Sequence, residues 1–138
     1  MNLTAQEAYE FGLLPLAIWR EARNQGYQGM LAVAWSIKNR VIKPCWWGVS
    51  FPTVILKKWQ YSSFNWNDPN DVQFPKGNEP DWQDALRAAT DVFTNSVPDP
   101  TMGADSYFDK SLDSNPPDWS KTAVHTCDIG AFHFYRTQ

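Results

Sequence analysis

The chain has 138 residues, of which 43% are hydrophobic and 20% are charged. That length suffices for one domain with one core, and the composition excludes a disordered or low-complexity segment. The net charge is -3 and the sequence supplies no basic stripe, on which nucleic-acid binding mainly depends, so we expect no nucleic-acid partner. Aromatic residues make up 15%, more than one small core can hold, so some of the rings are expected to line a surface groove.

The first predicted helix starts at a capping box. Thr4 and Glu7 are spaced so that each side chain can bond the backbone amide of the other, which predicts a helix from about residue 5. Pro15 lacks an amide donor and predicts a break near residue 12. The apolar spacing that follows predicts a second helical stretch, which ends at about residues 24–26.

Further helices are predicted at residues 28–42, after Pro52, and at residues 80–95. The apolar stripe of the last of these consists of Trp82, Ala85, Leu86, Ala89 and Phe93. Residues 61–79 are polar and predict a long surface loop, while residues 106–109 and 130–136 resemble strands. We therefore interpret residues 1–138 as a single, mainly helical α+β domain.

The apolar segments predict neither a membrane span nor a secretory leader. The longest apolar run, residues 11–19, is too short to cross a bilayer. The first ten residues lack the basic and apolar regions of a signal peptide. We expect a protein that starts in a cytoplasm, or one whose leader has been removed.

The residue types that hold metals or act as nucleophiles form no convincing pattern. His125 and His133 are the only histidines, and no third ligand stands at metal-binding spacing, so we expect no metal and no cofactor. The chain contains neither a Gly-x-Ser-x-Gly elbow nor a glycine-rich phosphate loop. Cys45 and Cys127 fit half-buried thiols better than a disulfide framework.

Glu21 has the most distinctive setting among the acidic residues. It follows the markedly apolar residues 14–19 and stands near the end of a predicted helix. Burial at such a position raises the pKa of a carboxyl group and suits it to donate a proton. Position alone nevertheless favours the alternative, a surface glutamate paired with Arg20 or Arg23.

A series of short motifs adds a second argument. Glu21-Ala22-Arg23 is followed by residues 29–34, by Asn39-Arg40-Val41 and by Gln60-Tyr61-Ser62. Residues 51–54 stand between the last two of these, and the later members of the series are residues 99–104, Tyr107-Phe108, Trp119, Ile129-Gly130 and Phe134-Tyr135. Their order and spacing over about residues 14–136 resemble the SleB-type cell wall hydrolase family, the spore-cortex-lytic enzymes. Residues 43–48 and 65–78 look like local elaborations.

The resemblance implies a lysozyme-like fold, close to that of resuscitation-promoting factors and lytic transglycosylases. It implies cleavage of peptidoglycan glycan strands between N-acetylmuramic acid and N-acetylglucosamine, with Glu21 as the catalytic residue. It also implies that Gln60, Ser62 and Tyr107 line the groove, and Tyr61 and Tyr135 are expected to offer rings to the sugars. Asn39 and Arg40 are interpreted as structural residues that bind a neighbouring loop or orient Glu21.

The sequence offers only one carboxylate in a suitable setting. Hydrolysis of a glycosidic bond ordinarily uses two, whereas a lytic transglycosylase needs one, which forms a 1,6-anhydro-muramic end. We therefore expect a lytic transglycosylase that acts on the bacterial cell wall, and we expect it to be a monomer. A single domain with no recognisable leader or membrane anchor suits a phage endolysin or virion-associated lysin, released from the host cytoplasm, and the alternative origin is a host enzyme trimmed of its leader. The alternatives are a hydrolytic muramidase and a non-catalytic peptidoglycan-binding or phage structural module.

Overall fold

The helices begin and end close to the positions that local signals predict. The computed structural model describes residues 1–138. Its helices are α1 (Ala5–Gly12), α2 (Leu14–Ala22), α3 (Gly26–Ile42), α4 (Phe51–Ile55) and α5 (Pro80–Phe93). Four short 3-10 turns stand at Ser62–Phe64, Pro69–Val72, Lys110–Leu112 and Asp118–Lys121. None of the helices combines the length and the hydropathy that a membrane crossing requires.

The boundaries of the first two helices follow from their sequences. Thr4 accepts a hydrogen bond from the amide of Glu7, and the Glu7 carboxylate accepts one from the amide of Thr4, as the capping box predicts. Helix α1 ends at Gly12. Pro15 lies in the first turn of α2, where its missing amide N–H removes no helical hydrogen bond. The predicted break is confirmed, although α2 ends at Ala22, about two residues before the predicted end.

Helix α3 runs through the centre of the domain. Every residue from Gly29 to Ile37 is buried, because α2, α4, α5 and the sheet all pack around it. A helix enclosed on all sides needs apolar residues all round, which this segment supplies. The first half and the last third of the chain therefore share one core.

Helix α5 packs against α2 and α3 through a stripe that shares Ala85 and Ala89 with the predicted one. Its buried residues are Ala85, Ala88, Ala89 and Val92. The small alanines face the core and allow close approach to α3, while Trp82, Leu86 and Phe93 are only half-buried. The prediction was therefore right about the helix and about Ala85 and Ala89, but it placed the large side chains where Ala88 and Val92 form the contact.

A small antiparallel sheet has the strand order β1-β3-β2, formed by β1 (Ser106–Asp109), β2 (Val124–Ile129) and β3 (Phe132–Arg136). Strands β2 and β3 form a hairpin in which Gly130 has a φ of +56°, the left-handed conformation that such tight turns require. The predicted strands correspond to β1 and β3, and β2 was not predicted. Phe132 and Phe134 are buried in the core shared with the helices. The mainly helical α+β prediction is confirmed.

Candidate active site

A cavity of about 470 Å³ opens between the helices and the sheet. Its lining comes from α2, α3, the segments around residues 46 and 60, β1, the turn at Asp118–Lys121 and the C-terminal residues. The lining residues are Glu21, Arg40, Trp46, Trp59, Gln60, Tyr61, Ser106, Tyr107, Trp119, Thr137 and Gln138. Five of them are aromatic, which confirms that part of the aromatic content lines a groove.

Glu21 lies in the last turn of α2 and is the only acidic residue of the cavity lining. Its carboxylate accepts a hydrogen bond of 2.6 Å from the hydroxyl of Tyr107 on β1. Burial raises the pKa of Glu21, and the nearby charge of Asp68 raises it further, whereas the hydrogen bond from Tyr107 acts in the opposite direction. The group is thereby suited to hold a proton and release it to a ligand in the cavity.

The arginines beside Glu21 in the sequence are not its partners. Arg20 donates hydrogen bonds to the backbone carbonyls of Ser63, Asp71 and Gln73, all within 3.3 Å. Arg23 donates to the side chains of Asn70 and Gln73, and its guanidinium stacks 4.0 Å from the centre of the Trp19 ring. Both arginines therefore fix the long loop that follows Tyr61, and a surface ion pair with Glu21 is not formed.

Two tyrosines stay neutral beside the carboxylate. Burial raises the pKa of Tyr61 to about 12 and that of Tyr107 well above its usual value, and the negative charge of Glu21 adds to both effects. Their hydroxyls thus remain hydrogen-bond donors over the whole range in which the carboxyl titrates. Tyr107 is further held by an edge-on contact with Phe132 and a tilted contact with Phe134, whose ring centres lie 5.1 and 5.7 Å away.

Arg40 is a buried cation in the wall of the cavity. It donates hydrogen bonds to the backbone carbonyl of Asp105 at 2.6 Å and to the side-chain oxygen of Gln60 at 3.1 Å. Because the oxygen of Gln60 is occupied in this way, its amide nitrogen is left to donate to a ligand. Asn39 binds the loop side chain of Asp99 and the carbonyl of Ala104, as its structural interpretation predicts.

The C-terminal end of the chain forms part of the cavity rim. The buried carboxylate of Asp105 accepts hydrogen bonds from the amide and hydroxyl of Thr137 and from the amide of Gln138. It also accepts one from the hydroxyl of Ser106 at 2.8 Å. Because both of its carboxylate oxygens accept these hydrogen bonds, Asp105 fixes Thr137 and Gln138 at the rim, an arrangement that we call the clasp. Asp105 is not a lining residue and offers no second acid to the cavity.

The structure brings together four of the predicted site residues, Glu21, Gln60, Tyr61 and Tyr107. Two others do not reach the cavity. Ser62 is exposed outside it, and Tyr135 stacks on Phe108 with ring centres 5.6 Å apart. Neighbouring residues in a turn or strand point in different directions, which separates these two from the rest.

Several lining residues were not predicted. These are Trp46, Trp59, Trp119, Ser106, Thr137 and Gln138. The three tryptophans are between 36% and 61% exposed, so their rings are available to a ligand. The sequence signals for them were the Trp46-Trp47 pair in a local elaboration and the place of Trp119 in the motif series. Trp47 itself is a core residue whose indole donates to the carbonyl of Arg40.

The arrangement combines one proton donor, several neutral hydrogen-bond donors and exposed aromatic rings. Aromatic faces stack on the C–H faces of sugar rings, and the amide and hydroxyl groups can bind sugar oxygens. The lining contains neither histidine nor cysteine, so it offers no set of ligands for a metal. These features favour acid catalysis on a polar, extended ligand.

Comparisons with known proteins agree with this geometry. The sequence profile of the cell wall hydrolase family matches residues 24–135. The crystal structure of the catalytic domain of the Bacillus cereus SleB protein is similar, with a TM-score of 0.72 and 25% identity over 99% of this chain and 94% of that one. The catalytic domain of the germination-specific lytic transglycosylase SleB from Bacillus anthracis has a TM-score of 0.69 and 25% identity, over 99% of each chain. No curated protein matches the chain.

Proposed function

The chain belongs to the cell wall hydrolase family and is a glycan-cleaving peptidoglycan enzyme, and from this premise we propose that it is a lytic transglycosylase in which Glu21 acts first as acid and then as base. The observation that carries the proposal is that Glu21 is the only carboxylate of the cavity. One of the two structural relatives is itself a lytic transglycosylase, which supports the same reaction class here.

The first step is protonation of the leaving oxygen. Glu21 donates its proton to the oxygen that joins N-acetylmuramic acid to N-acetylglucosamine, and the bond from the muramic anomeric carbon to this oxygen breaks. Positive charge develops at that carbon, and the carbonyl oxygen of the substrate's own N-acetyl group stabilises it. This requires Glu21 to be protonated when the substrate binds, which its raised pKa favours.

The second step reverses the role of Glu21. Its carboxylate now removes the proton of the muramic C6 hydroxyl, and the resulting oxygen attacks the anomeric carbon to close a 1,6-anhydro ring. Glu21 returns to its protonated state and no water is consumed. Tyr107 donates to the carboxylate and thereby holds it in one orientation for both proton transfers.

The remaining lining residues fit a sugar strand. The amide nitrogen of Gln60 and the hydroxyl of Tyr61 are donors for acetamido or hydroxyl oxygens. Trp46, Trp59 and Trp119 offer ring faces at the mouth of the cavity. We propose that residues 1–138 act together as one catalytic domain, since the cavity draws on residues from 21 to 138.

Product analysis tests the reaction class directly. Purified peptidoglycan is digested, and the soluble muropeptides are weighed by mass spectrometry. Products one water lighter than hydrolytic ones are expected. Fully hydrated reducing ends would instead identify a muramidase, the alternative enzyme.

A substitution tests the role of the carboxylate. Glu21→Gln keeps the shape of the side chain and removes the acid, so clearance of wall suspensions should fall by at least about 100-fold. Glu10→Gln is the matched control, because Glu10 lies on α1, away from the cavity. Unchanged clearance by Glu21→Gln would refute the mechanism, and an unaltered protein that binds wall without clearing it would favour the binding-module alternative.

The biological setting stays a prediction from the sequence. A phage endolysin is expected to lyse its host from outside only after the membrane barrier is opened, and from inside only when co-expressed with a membrane-permeabilising partner. Both lysis assays can be run with the Glu21→Gln variant as the inactive control. The expected monomer is tested by sedimentation of the free protein.

A further inference from the structure

The two histidines, which stand eight residues apart in the sequence, meet on the surface of the hairpin formed by β2 and β3. Asp128 on β2 is paired directly with His133 on β3. His125 lies three residues before Asp128, a spacing that would put the two side chains on opposite faces of a regular strand. The register shifts between His125 and Cys127, and this bulge turns His125 to the same face as Asp128 and His133.

The polar atoms of these three residues are very close. One carboxylate oxygen of Asp128 lies 2.7 Å from Nε2 of His125 and 2.6 Å from Nδ1 of His133. The three potential ligand atoms all lie within 4.8 Å of one another. Two imidazole nitrogens thus converge on a single carboxylate oxygen.

A fourth residue orients one of the rings. Nε2 of His133 lies 2.7 Å from a carboxylate oxygen of Asp113, which follows the turn at Lys110–Leu112. When Nε2 carries the proton and donates it to Asp113, the lone pair of Nδ1 is left for a cation. A histidine that donates its second nitrogen to a carboxylate is the usual arrangement around a bound transition metal.

We propose that His125, Asp128 and His133 form a binding site for a divalent transition-metal ion, with Zn²⁺ as the best fit. The ligand atoms are Nε2 of His125, a carboxylate oxygen of Asp128 and Nδ1 of His133, and Asp113 supports the His133 ring. Two histidines and one carboxylate match the ligand preference of Zn²⁺, and a water molecule completes the tetrahedron.

The geometry requires little rearrangement. Zinc bonds of about 2.1 Å place tetrahedral ligand atoms about 3.4 Å apart. The two distances from the Asp128 oxygen to the histidine nitrogens therefore have to increase by roughly 0.7 Å each. The side chains of His125 and Asp128 are 48% and 42% exposed, which gives them freedom to move and gives the ion a path from solvent. That of His133 is only 18% exposed and anchors the site.

The site would brace one wall of the catalytic cavity. It joins the edge strand β2 to β3 and, through Asp113, to the segment that follows β1. His125 packs against Tyr135 with ring centres 5.1 Å apart, and Tyr135 packs against Trp119 of the cavity lining. A bound ion therefore stabilises the sheet that carries Tyr107 and, through Tyr135, the position of Trp119 in the turn at Asp118–Lys121. It takes no part in the chemistry at Glu21.

The test is titration of the metal-free protein with Zn²⁺ by calorimetry, in a Cys45→Ser background because the exposed thiol of Cys45 is a competing ligand. One equivalent is expected to bind. His125→Gln and Asp128→Asn should each weaken binding by at least about tenfold, and Asp113→Asn by about 10–100-fold. Asp118→Asn is the matched control, since Asp118 is exposed and pairs only with Lys121.

A second measurement checks that the variants still fold. Circular dichroism of each variant without metal should match that of the parent. At the same concentration, Zn²⁺ should raise the melting temperature of the parent and of Asp118→Asn more than that of His125→Gln. The proposal is overturned if the Cys45→Ser protein binds no zinc in a saturable way, or if His125→Gln and Asp128→Asn bind it as tightly as the parent does.

Discussion

Removal of the Tyr107 hydroxyl is expected to move the pH dependence of the enzyme. In the proposed mechanism the general acid, Glu21, must be protonated, so kcat/KM should fall as pH rises through its pKa. The hydrogen bond from Tyr107 favours the charged carboxylate and lowers that pKa, so Tyr107→Phe should raise it. A hydrogen bond to a charged group contributes about 1.5–3 kcal/mol, and about 1.4 kcal/mol corresponds to one pH unit. Water in the open cavity replaces part of the bond, so the alkaline limb should move upward by about one unit.

The assay is the initial rate of wall clearance at low substrate, measured across the pH range for the parent and the variant. Tyr61→Phe is the matched control, because Tyr61 lines the same cavity without bonding Glu21. Its alkaline limb should stay in place. An alkaline limb of Tyr107→Phe that is unchanged or moves to lower pH would refute the argument that this hydrogen bond acts on Glu21.

Three further substitutions test how the site is supported. Trp47→Ala removes a ring that is 1% exposed and should cost about 3–5 kcal/mol in urea unfolding, whereas Trp66→Ala, at a ring that is 87% exposed, should change stability little. Arg20→Met leaves several backbone carbonyls of the loop at residues 61–79 without a donor, so proteolytic cleavage and hydrogen exchange should increase in that loop. Unchanged rates of both would argue against an anchoring role for Arg20. Asp105→Asn loosens the clasp on the C-terminal residues and should raise KM for soluble glycan more than it lowers kcat, and a pure kcat effect would contradict this.

The helices could be predicted because their signals are local. The capping box at Thr4, the break before Pro15 and the short helix at Pro52 all depend on a few neighbouring residues. Strand β2 was missed for a physical reason. Most of its side chains are at least partly exposed and its register shifts at a bulge, so it shows no alternation of apolar and polar residues.

The site could be predicted in part. Glu21 stood out by its apolar surroundings and by its motif, but its hydrogen-bond partner Tyr107 is 86 residues away and is found only through the fold. Ser62 was expected beside Gln60 in the cavity, yet the chain turns between them. The meeting of His125 and His133 was equally hidden, because the bulge that aligns their faces leaves no trace in residue spacing.

The clasp at Asp105 has a practical consequence for fusions made to this enzyme. Thr137 and Gln138 form part of the cavity rim, so a polypeptide joined after Gln138 would emerge at the entrance of the proposed glycan-binding cavity. Met1 is exposed and no residue of α1 reaches the cavity. Affinity tags, fluorescent reporters and cell-targeting modules therefore belong at the amino end.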